Sequence, residues 1–341
     1  MNQKVKVNDV IRATGLSRAT VDRALNKRGG LHPETERLVQ EAYDRLRGLD
    51  RTVNAETSSL HLRPVDAVLR MGRGLTEQMF EVQTLRNLPV RFFDMHEKGE
   101  EQTLQVVKDL CTSIDRPLIL TVKNDDALVS ELARARKRGK RIVALVSDLS
   151  PEARDAYVGI DNRNAGRAAA LLVGHAFKSR PAKVGVVLGN YAFRCHEDRE
   201  IGFRSYLRSA SPHIALTDVA KGEDSIEQTR DAVLGLIRDH PDLDALYNVA
   251  GGNAGLAAAL DETGLADRIF VITHETNTIT VPLMRRGLIN LLIGQSPFLL
   301  LETAVRAAQG FEAPSGGEYR LLDFSIHTPF NIPTVNALTG N

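Results

Sequence analysis

Apolar residues recur at helical spacing along the first fifty positions. Val7, Val10 and Ile11 fall at i, i+3 and i+4. Val21, Ala24 and Leu25 repeat the pattern, and Leu38, Ala42 and Leu46 repeat it again, with Val39 and Tyr43 beside them. Gly15 supplies a turn after the first run, Leu16 plugs the angle, and Ser17 is placed to cap a helix over 18–26. A third helix is predicted over 34–46. The three runs predict a small all-α unit over 1–47. Periodicity then fails over 48–63 and polar residues take over, which reads as a linker.

From Pro64 the pattern changes to short apolar runs separated by amphipathic stretches. Strands are predicted over 65–71, 90–95, 118–122, 142–146, 184–188, 245–249, 270–273 and 289–293. Most are rich in Val, Ile and Leu with little alternation, as parallel strands covered on both faces require. Helices are predicted over 101–111, 127–138, 165–177, 202–207, 226–238, 254–263 and 297–308. Such alternation gives an α/β class with parallel sheets. The units are too many for one compact sheet, so two doubly wound lobes are expected within 64–331. The chain would cross between them near 157–163 and again near 295–297. One lobe takes about 64–161 plus 297–320, and the other 162–296 plus 321–331. The tail, 332–341, shows no heptads and no tetramerisation element.

Composition narrows this picture. The 341 residues carry 44 Lys and Arg against 43 Asp and Glu, a net charge of +1. The charge is uneven: residues 1–51 hold a net +4 and the remainder a net −3. A basic head on a slightly acidic body suits phosphate contact by the head alone. The two cysteines, Cys111 and Cys195, form no C-x-x-C pattern and fit a reducing compartment. The N-terminus lacks an apolar signal core, and no apolar run is long enough to span a membrane, so a cytoplasmic protein with no membrane partner is expected.

The head carries a longer pattern. Gly15-Leu16-Ser17 is followed by Thr20-Val21-Asp22-Arg23-Ala24-Leu25-Asn26, and then by Thr35-Glu36-Arg37. This stretch resembles the DNA-binding head of the LacI/GalR family of transcriptional regulators. The resemblance implies a helix-turn-helix whose second helix enters the major groove. It places Ser17, Arg18, Ala19, Thr20, Asp22, Arg23 and Asn26 against double-stranded operator DNA. Asp22 departs from the family, which usually has Ser there; a carboxylate can accept from a cytosine amino group. The family's hinge helix, with a Leu wedged into the minor groove, is represented only by Asn54-Ala55 and Leu60.

The body resembles the periplasmic sugar-binding-protein-like core of the same family over roughly 64–331. The matching residues are Tyr157-Val158-Gly159-Ile160-Asp161-Asn162 with Ala165-Gly166; Arg199-x-x-Gly202-Phe203; Asn248 with Gly251-Gly252-Asn253-Ala254-Gly255; and Gly294-Gln295 with Pro297. The resemblance implies an effector cleft at the carboxyl ends of the strands. Arg199 would hydrogen-bond sugar hydroxyls, since its fixed donors suit two neighbouring oxygens. Asn248 or Asn253 would supply an amide, Glu275 an acceptor where the family usually has Asp, and Gln295 a contact at the hinge. Ser147 and Asp148 end a strand of the first lobe, with either one pointing inward, and Arg73 follows its first strand. Trp is absent, so the aromatic platform falls to Phe193 or Tyr191. Bland alternatives stand beside these: Asp161 and Asn162 as a helix cap, Glu275 as another cap, and Gln295 as a partner for hinge backbone.

No catalytic constellation is read. Cys195-His196-Glu197-Asp198 gathers reactive groups, but neighbouring residues splay apart and cannot all meet one atom. The glycines at 251–255 lack phosphate-loop spacing, and the nine histidines form no metal motif. The expectation is therefore a non-enzymatic regulator without cofactor or metal, a repressor in the family's common mode. It would be a homodimer controlled by a small sugar or polyol effector. The alternative is a transport-associated sugar-binding protein, which would require export.

Overall fold

A computed structural model of the chain describes residues 7, 10–11, 16–26, 31, 35–36, 39–40, 43, 62–178, 180–311 and 318–332. The chain divides into two compact units, 1–62 and 63–341. Within the first, one helix is described from end to end, α1 (Arg18–Leu25). Its N-cap is Ser17, whose hydroxyl accepts from the Thr20 backbone N–H at 3.2 Å. Val10, Val21 and Val39 are buried together, with Leu16, Leu25 and Tyr43 against them. The full three-helix head expected over 1–47 is not shown. Residues 48–61 of the expected linker, the hinge positions Asn54, Ala55 and Leu60, and 333–341 of the tail lie outside the described residues.

The second unit holds two six-stranded sheets. Lobe 1 contains β1 (Val65–Leu69), α2 (Arg73–Arg86), β2 (Val90–Asp94), α3 (Glu100–Cys111), β3 (Leu118–Thr121), α4 (Asp126–Lys137), β4 (Ile142–Leu145) and β5 (Ala156–Ile160). The chain then crosses to lobe 2 for α5 (Asn162–Ala176), β6 (Ala182–Leu188), α6 (Arg194–Ala210), β7 (Ile214–Lys221), α7 (Ile226–Asp239), β8 (Ala245–Asn248), α8 (Asn253–Thr263), β9 (Phe270–His274), α9 (Thr280–Arg285) and β10 (Leu291–Gln295). It returns for α10 (Pro297–Ala308) and β11 (Tyr319–Leu322), and crosses once more into β12 (Phe324–His327).

The sheets run in corresponding orders, β11-β5-β4-β3-β1-β2 and β12-β10-β9-β8-β6-β7. All pairings are parallel except β10 with β12. The central strands are buried from end to end, as in β1 (VDAVL) and β4 (IVAL), because helices cover both faces. Four of these helices begin where a short polar side chain replaces a missing backbone acceptor: Asp125 caps α4, Asp161 caps α5, Ser225 caps α7, and Ser296 caps α10 ahead of Pro297. Asp161 thus acts as a cap, with its carboxylate accepting from Asn164 N–H at 2.9 Å.

Several elements differ from the sequence expectation. Residues 156–160, taken as the approach to a crossing, form the buried strand β5. β7 was not expected; it is an edge strand whose burial is intermittent along its length. α2 was not expected either, because it buries Thr76 and Gln78 alongside Leu75, Met79 and Val82 and so blurs the apolar period. α6 begins at Arg194 instead of 202, since its first turns bury Cys195, His196, Arg199 and Glu200, none of them aliphatic.

Candidate functional site

A cavity of about 220 Å³ lies between the lobes. It exceeds the roughly 150 Å³ that holds a benzene-sized molecule. Contacts across the cleft frame it. Gln78 Nε2 donates to the Thr276 carbonyl at 2.8 Å, Asn124 N–H to the Ala192 carbonyl at 2.7 Å, and Arg194 to the Ser150 hydroxyl at 3.1 Å. A Cβ at Gly74 would lie 2.5 Å from the Asn277 amide, so α2 reaches lobe 2 only because Gly74 has no side chain.

Arg199 is the centre of the lobe 2 wall. It is 3% exposed. Its Nε donates to Asn162 Oδ1 and its Nη1 to the Val249 carbonyl, both at 2.8 Å. Its Nη2 makes no hydrogen bond and stands 3.9 Å from Glu275 Oε1. That gap is too long for a hydrogen bond.

The position of Arg199 follows from two glycines. A Cβ on Gly166 would come within 2.0 Å of the Arg199 carbonyl oxygen, and one on Gly202 within 2.0 Å of the Arg163 carbonyl oxygen. The backbones of α5 and α6 therefore touch. This contact is the physical content of the Ala165-Gly166 and Arg199-x-x-Gly202 motifs. Asn162, the first residue of α5, also donates to the Val146 carbonyl (3.2 Å) and the Tyr157 hydroxyl (3.0 Å) of lobe 1.

Glu275 follows β9 with φ +69°, and Val146 follows β4 with φ +65°. The two strands hold the same place in their sheets. Left-handed backbone at non-glycine residues is strained, most of all for a β-branched valine. Each is pinned by the neighbouring strand: Val146 N–H donates to the Val158 carbonyl and Glu275 N–H to the Ile293 carbonyl. Glu275 Oε1 accepts from Gln295 Nε2 at 2.7 Å. Burial raises the pKa of Glu275, with Arg199 and the Gln295 hydrogen bond pulling the other way.

Asn253 opens α8 and lines the cavity. Its Oδ1 accepts from Asn248 Nδ2 (2.9 Å) and Thr273 Oγ1 (2.7 Å), which orients the amide. Phe193 and Arg73 also line the cavity, Arg73 facing Glu97 at 3.5 Å across exposed ground.

Four expected contacts are corrected. Asn248 is fully buried beneath the cavity and bonds the Gly251 carbonyl and Asn253. Gln295 reaches the cavity only through Glu275. Ser147 is fully buried, with its hydroxyl accepting from Cys195 N–H at 3.4 Å. Asp148 turns away to the fully buried Arg154 guanidinium, with Oδ2 at 2.9 Å from Nη2. Tyr191, the other aromatic considered, sits exposed beneath Lys221.

The cavity also holds residues that the sequence reading missed. Arg70, Thr121 and His274 end or follow strands, and the strand-end rule would have found them. Asp224 and His196 carried no such signal. Asp224 Oδ1 accepts from Gly251 N–H at 2.7 Å. Burial opposes charge on His196, but the adjoining Cys195 thiol and the Asp224 carboxylate outweigh it and raise its pKa. His274 is also buried, with Nε2 2.7 Å from the Tyr247 hydroxyl and Nδ1 unpartnered; burial keeps it neutral, far below the usual histidine range. Of the reactive run, Cys195 and His196 face the cavity, Glu197 is exposed, and Asp198 pairs with Arg163 at 2.9 Å. Among the described residues no group of three or more His, Cys, Asp or Glu side chains is placed to hold a metal ion.

The fold matches known structures over most of its length. A glucose-galactose binding protein from Geobacillus stearothermophilus aligns with a TM-score of 0.71 at 16% identity, covering 81% of this chain and 100% of that one. An ABC transporter solute-binding protein from Burkholderia graminis, in complex with D-arabinose, aligns at 0.70 and 19% identity, covering 79% and 96%. A periplasmic solute-binding protein from Actinobacillus succinogenes with bound D-allose aligns at 0.67 and 18% identity, covering 79% and 99%. No curated protein matches the sequence.

These matches correct the expectation of an operator-binding LacI/GalR regulator. The proteins that share the fold over four fifths of the chain are named for sugars and transport, and nothing among them supports a DNA-binding head. The local chemistry of α1 adds no support for DNA contact. Ser17 and Thr20 bond one another at 2.8 Å, and Asn26 donates to the Asp22 carbonyl and carboxylate, both at 2.9 Å. Arg18, Ala19 and Arg23 are left as an ordinary exposed helix face. The periplasmic binding protein domain matches residues 116–311, more than half of the chain, and the chain belongs to that family.

Proposed function

We propose that residues 63–332 form a binding protein for a small hydroxylated ligand, a sugar or polyol, taken up between the two lobes. One observation carries this reading: the buried Arg199 keeps Nη2 without a partner, 3.9 Å from the Glu275 carboxylate. A hydroxyl group entering the gap accepts from the guanidinium and donates to the carboxylate. The buried Nη2 then no longer stays unsatisfied, and an unmet buried polar group costs about 1–3 kcal/mol. Two adjacent hydroxyls would engage both groups at once, with the Asn253 amide beside them. The sugars named for the structurally similar proteins agree with this chemistry.

Thermal unfolding of the full chain with D-glucose, D-galactose, D-arabinose and D-allose tests the reading. A ligand that binds only the folded state stabilises it by about 2.7 kcal/mol at a hundredfold excess over Kd. At least one of these sugars is expected to raise Tm in a saturable way, and Glu275→Ala should abolish the rise. The reading is lost if none of the four, nor any longer neutral sugar, shifts Tm or binds by calorimetry.

A further inference from the structure

We infer that the cavity is the inner half of a longer site, and that its ligand is a neutral molecule of two sugar rings or of one ring carrying a polyhydroxylated group. This rests on the sugar-binding reading and extends it. A second chamber of about 450 Å³ adjoins the inner cavity. Met71 and His96 from lobe 1, and Phe193, Asp224 and Ile226 from lobe 2, line both. The two spaces therefore share walls, and we take them as successive parts of one site.

This site has surfaces suited to sugar rings along its length. Met71, Phe193 and Ile226 provide apolar ground at the junction, and Ile226 is 60% exposed there. Covering that exposed aliphatic surface with a ring face is favourable at about 25 cal/mol per Å².

The charge of the outer chamber selects among extended ligands. Glu97, Glu223, Asp224 and Glu227 supply four carboxylates against two cations, Arg70 and Lys123. Both cations are engaged by Glu100, Lys123 at 2.5 Å and Arg70 at 3.9 Å; of the carboxylates, Glu97 faces Arg73 at 3.5 Å and Asp224 faces His196, so Glu223 and Glu227 carry the excess negative charge. The chamber is thus rich in acceptors and repels a phosphate or carboxylate while taking hydroxyl donors. The backbone holds this arrangement in place: Glu223 (φ +48°) and Asp224 (φ +59°) are consecutive left-handed residues. Asn190 Nδ2 fixes Glu223 at 2.7 Å, and Asp224 is tied to Gly251. Two strained non-glycine residues in sequence persist only where the surroundings over-determine them, and here they set carboxylates at the junction.

Calorimetry on the full chain tests this. The monosaccharides are D-glucose, D-galactose, D-arabinose and D-allose; the longer probes are lactose, melibiose, cellobiose and arabinobiose; the charged probes are glucose 6-phosphate and galacturonate. At least one disaccharide should bind tenfold or more tightly than either of its component sugars, and the charged probes more weakly than their neutral parents. The double variant Glu223→Gly/Glu227→Ala should remove most of the disaccharide's advantage while leaving monosaccharide affinity within about twofold. Glycine at 223 keeps the left-handed backbone, so the variant should fold. If monosaccharides bind and no disaccharide binds more tightly, the extended site is refuted and the sugar-binding reading stands. Tighter binding of a charged probe also refutes it. If no sugar of either length binds, both readings fall.

Discussion

Lobe 1 brings Arg73 and Glu97 to the cleft on side chains that are 64% and 76% exposed. Lobe 2 brings Arg199 and Glu275, at 4% and 18%, held from behind by Asn162, Val249 and Gln295. The sheets share one plan, down to the left-handed residue after β4 and β9, yet only one wall is built in advance. Rigid, preformed contacts lose little entropy on binding, whereas exposed side chains must be ordered by the ligand. Lobe 2 is therefore the half expected to recognise, and lobe 1 the half expected to cover.

The sharpest break of that contrast lies in the α5–α6 contact. Gly202→Val drives a side chain into the Arg163 carbonyl and should destabilise the protein by about 3 kcal/mol or more in urea unfolding. Gly72→Ala, on the lobe 1 lip where a Cβ meets nothing within 4 Å, should cost less than about 1 kcal/mol. Equal losses would show that the lobe 2 wall is not specially packed. Next comes the ligand. Arg199→Ala should weaken sugar binding about 100-fold, near 2.7 kcal/mol, because it removes a buried charged donor. Comparable calorimetric affinities in variant and parent would take Arg199 out of the site.

A smaller effect is expected from His274. Its imidazole is held neutral by burial, so its folded pKa lies below the ordinary 6.5. Below pH 6.5 the unfolded chain takes up a proton that the folded chain refuses, so stability falls with falling pH by up to about 1.4 kcal/mol per unit. Above pH 6.5 the residue contributes no slope. His274→Gln should flatten the decline in Tm between pH 6.5 and 5.5 relative to the parent; parallel curves would contradict the neutral imidazole. The least effect belongs to lobe 1: Arg73→Ala removes an exposed ion pair worth about 0–1 kcal/mol and should change sugar affinity less than fivefold. A loss as large as that of Arg199→Ala would reverse the division between the lobes.

How far the sequence carries the reader depends on what buried each segment. β1, β3 and β4 are continuous aliphatic runs because helices cover both faces, and their positions are plain in the sequence. β7 lies at a sheet edge and mixes its exposure, so its signal dissolves. α2 and the start of α6 hide for a functional reason: their inward faces carry Gln78, His196 and Arg199, which serve the cleft and the contact across it. In the site itself, Arg73, Phe193, Arg199, Asn253 and Glu275 stand on the cavity. Ser147, Asp148, Asn248 and Gln295 stand behind it, since a strand end fixes where a residue lies but not which way its side chain turns. The head misled for a related reason. A short capped helix with an exposed basic face is compatible with DNA, but the same pattern also satisfies itself, as Asn26 and Asp22 do.

Asn162 joins two tasks in a single amide. Its oxygen steadies the guanidinium of Arg199, and its nitrogen grips the Val146 carbonyl at the tip of the opposite sheet. A guest that draws Arg199 forward by a fraction of an ångström pulls on that carbonyl through one side chain. Occupancy would thus be felt at the tip of β4 through one amide, and a severed C-terminal half would lose the anchor that aims its arginine.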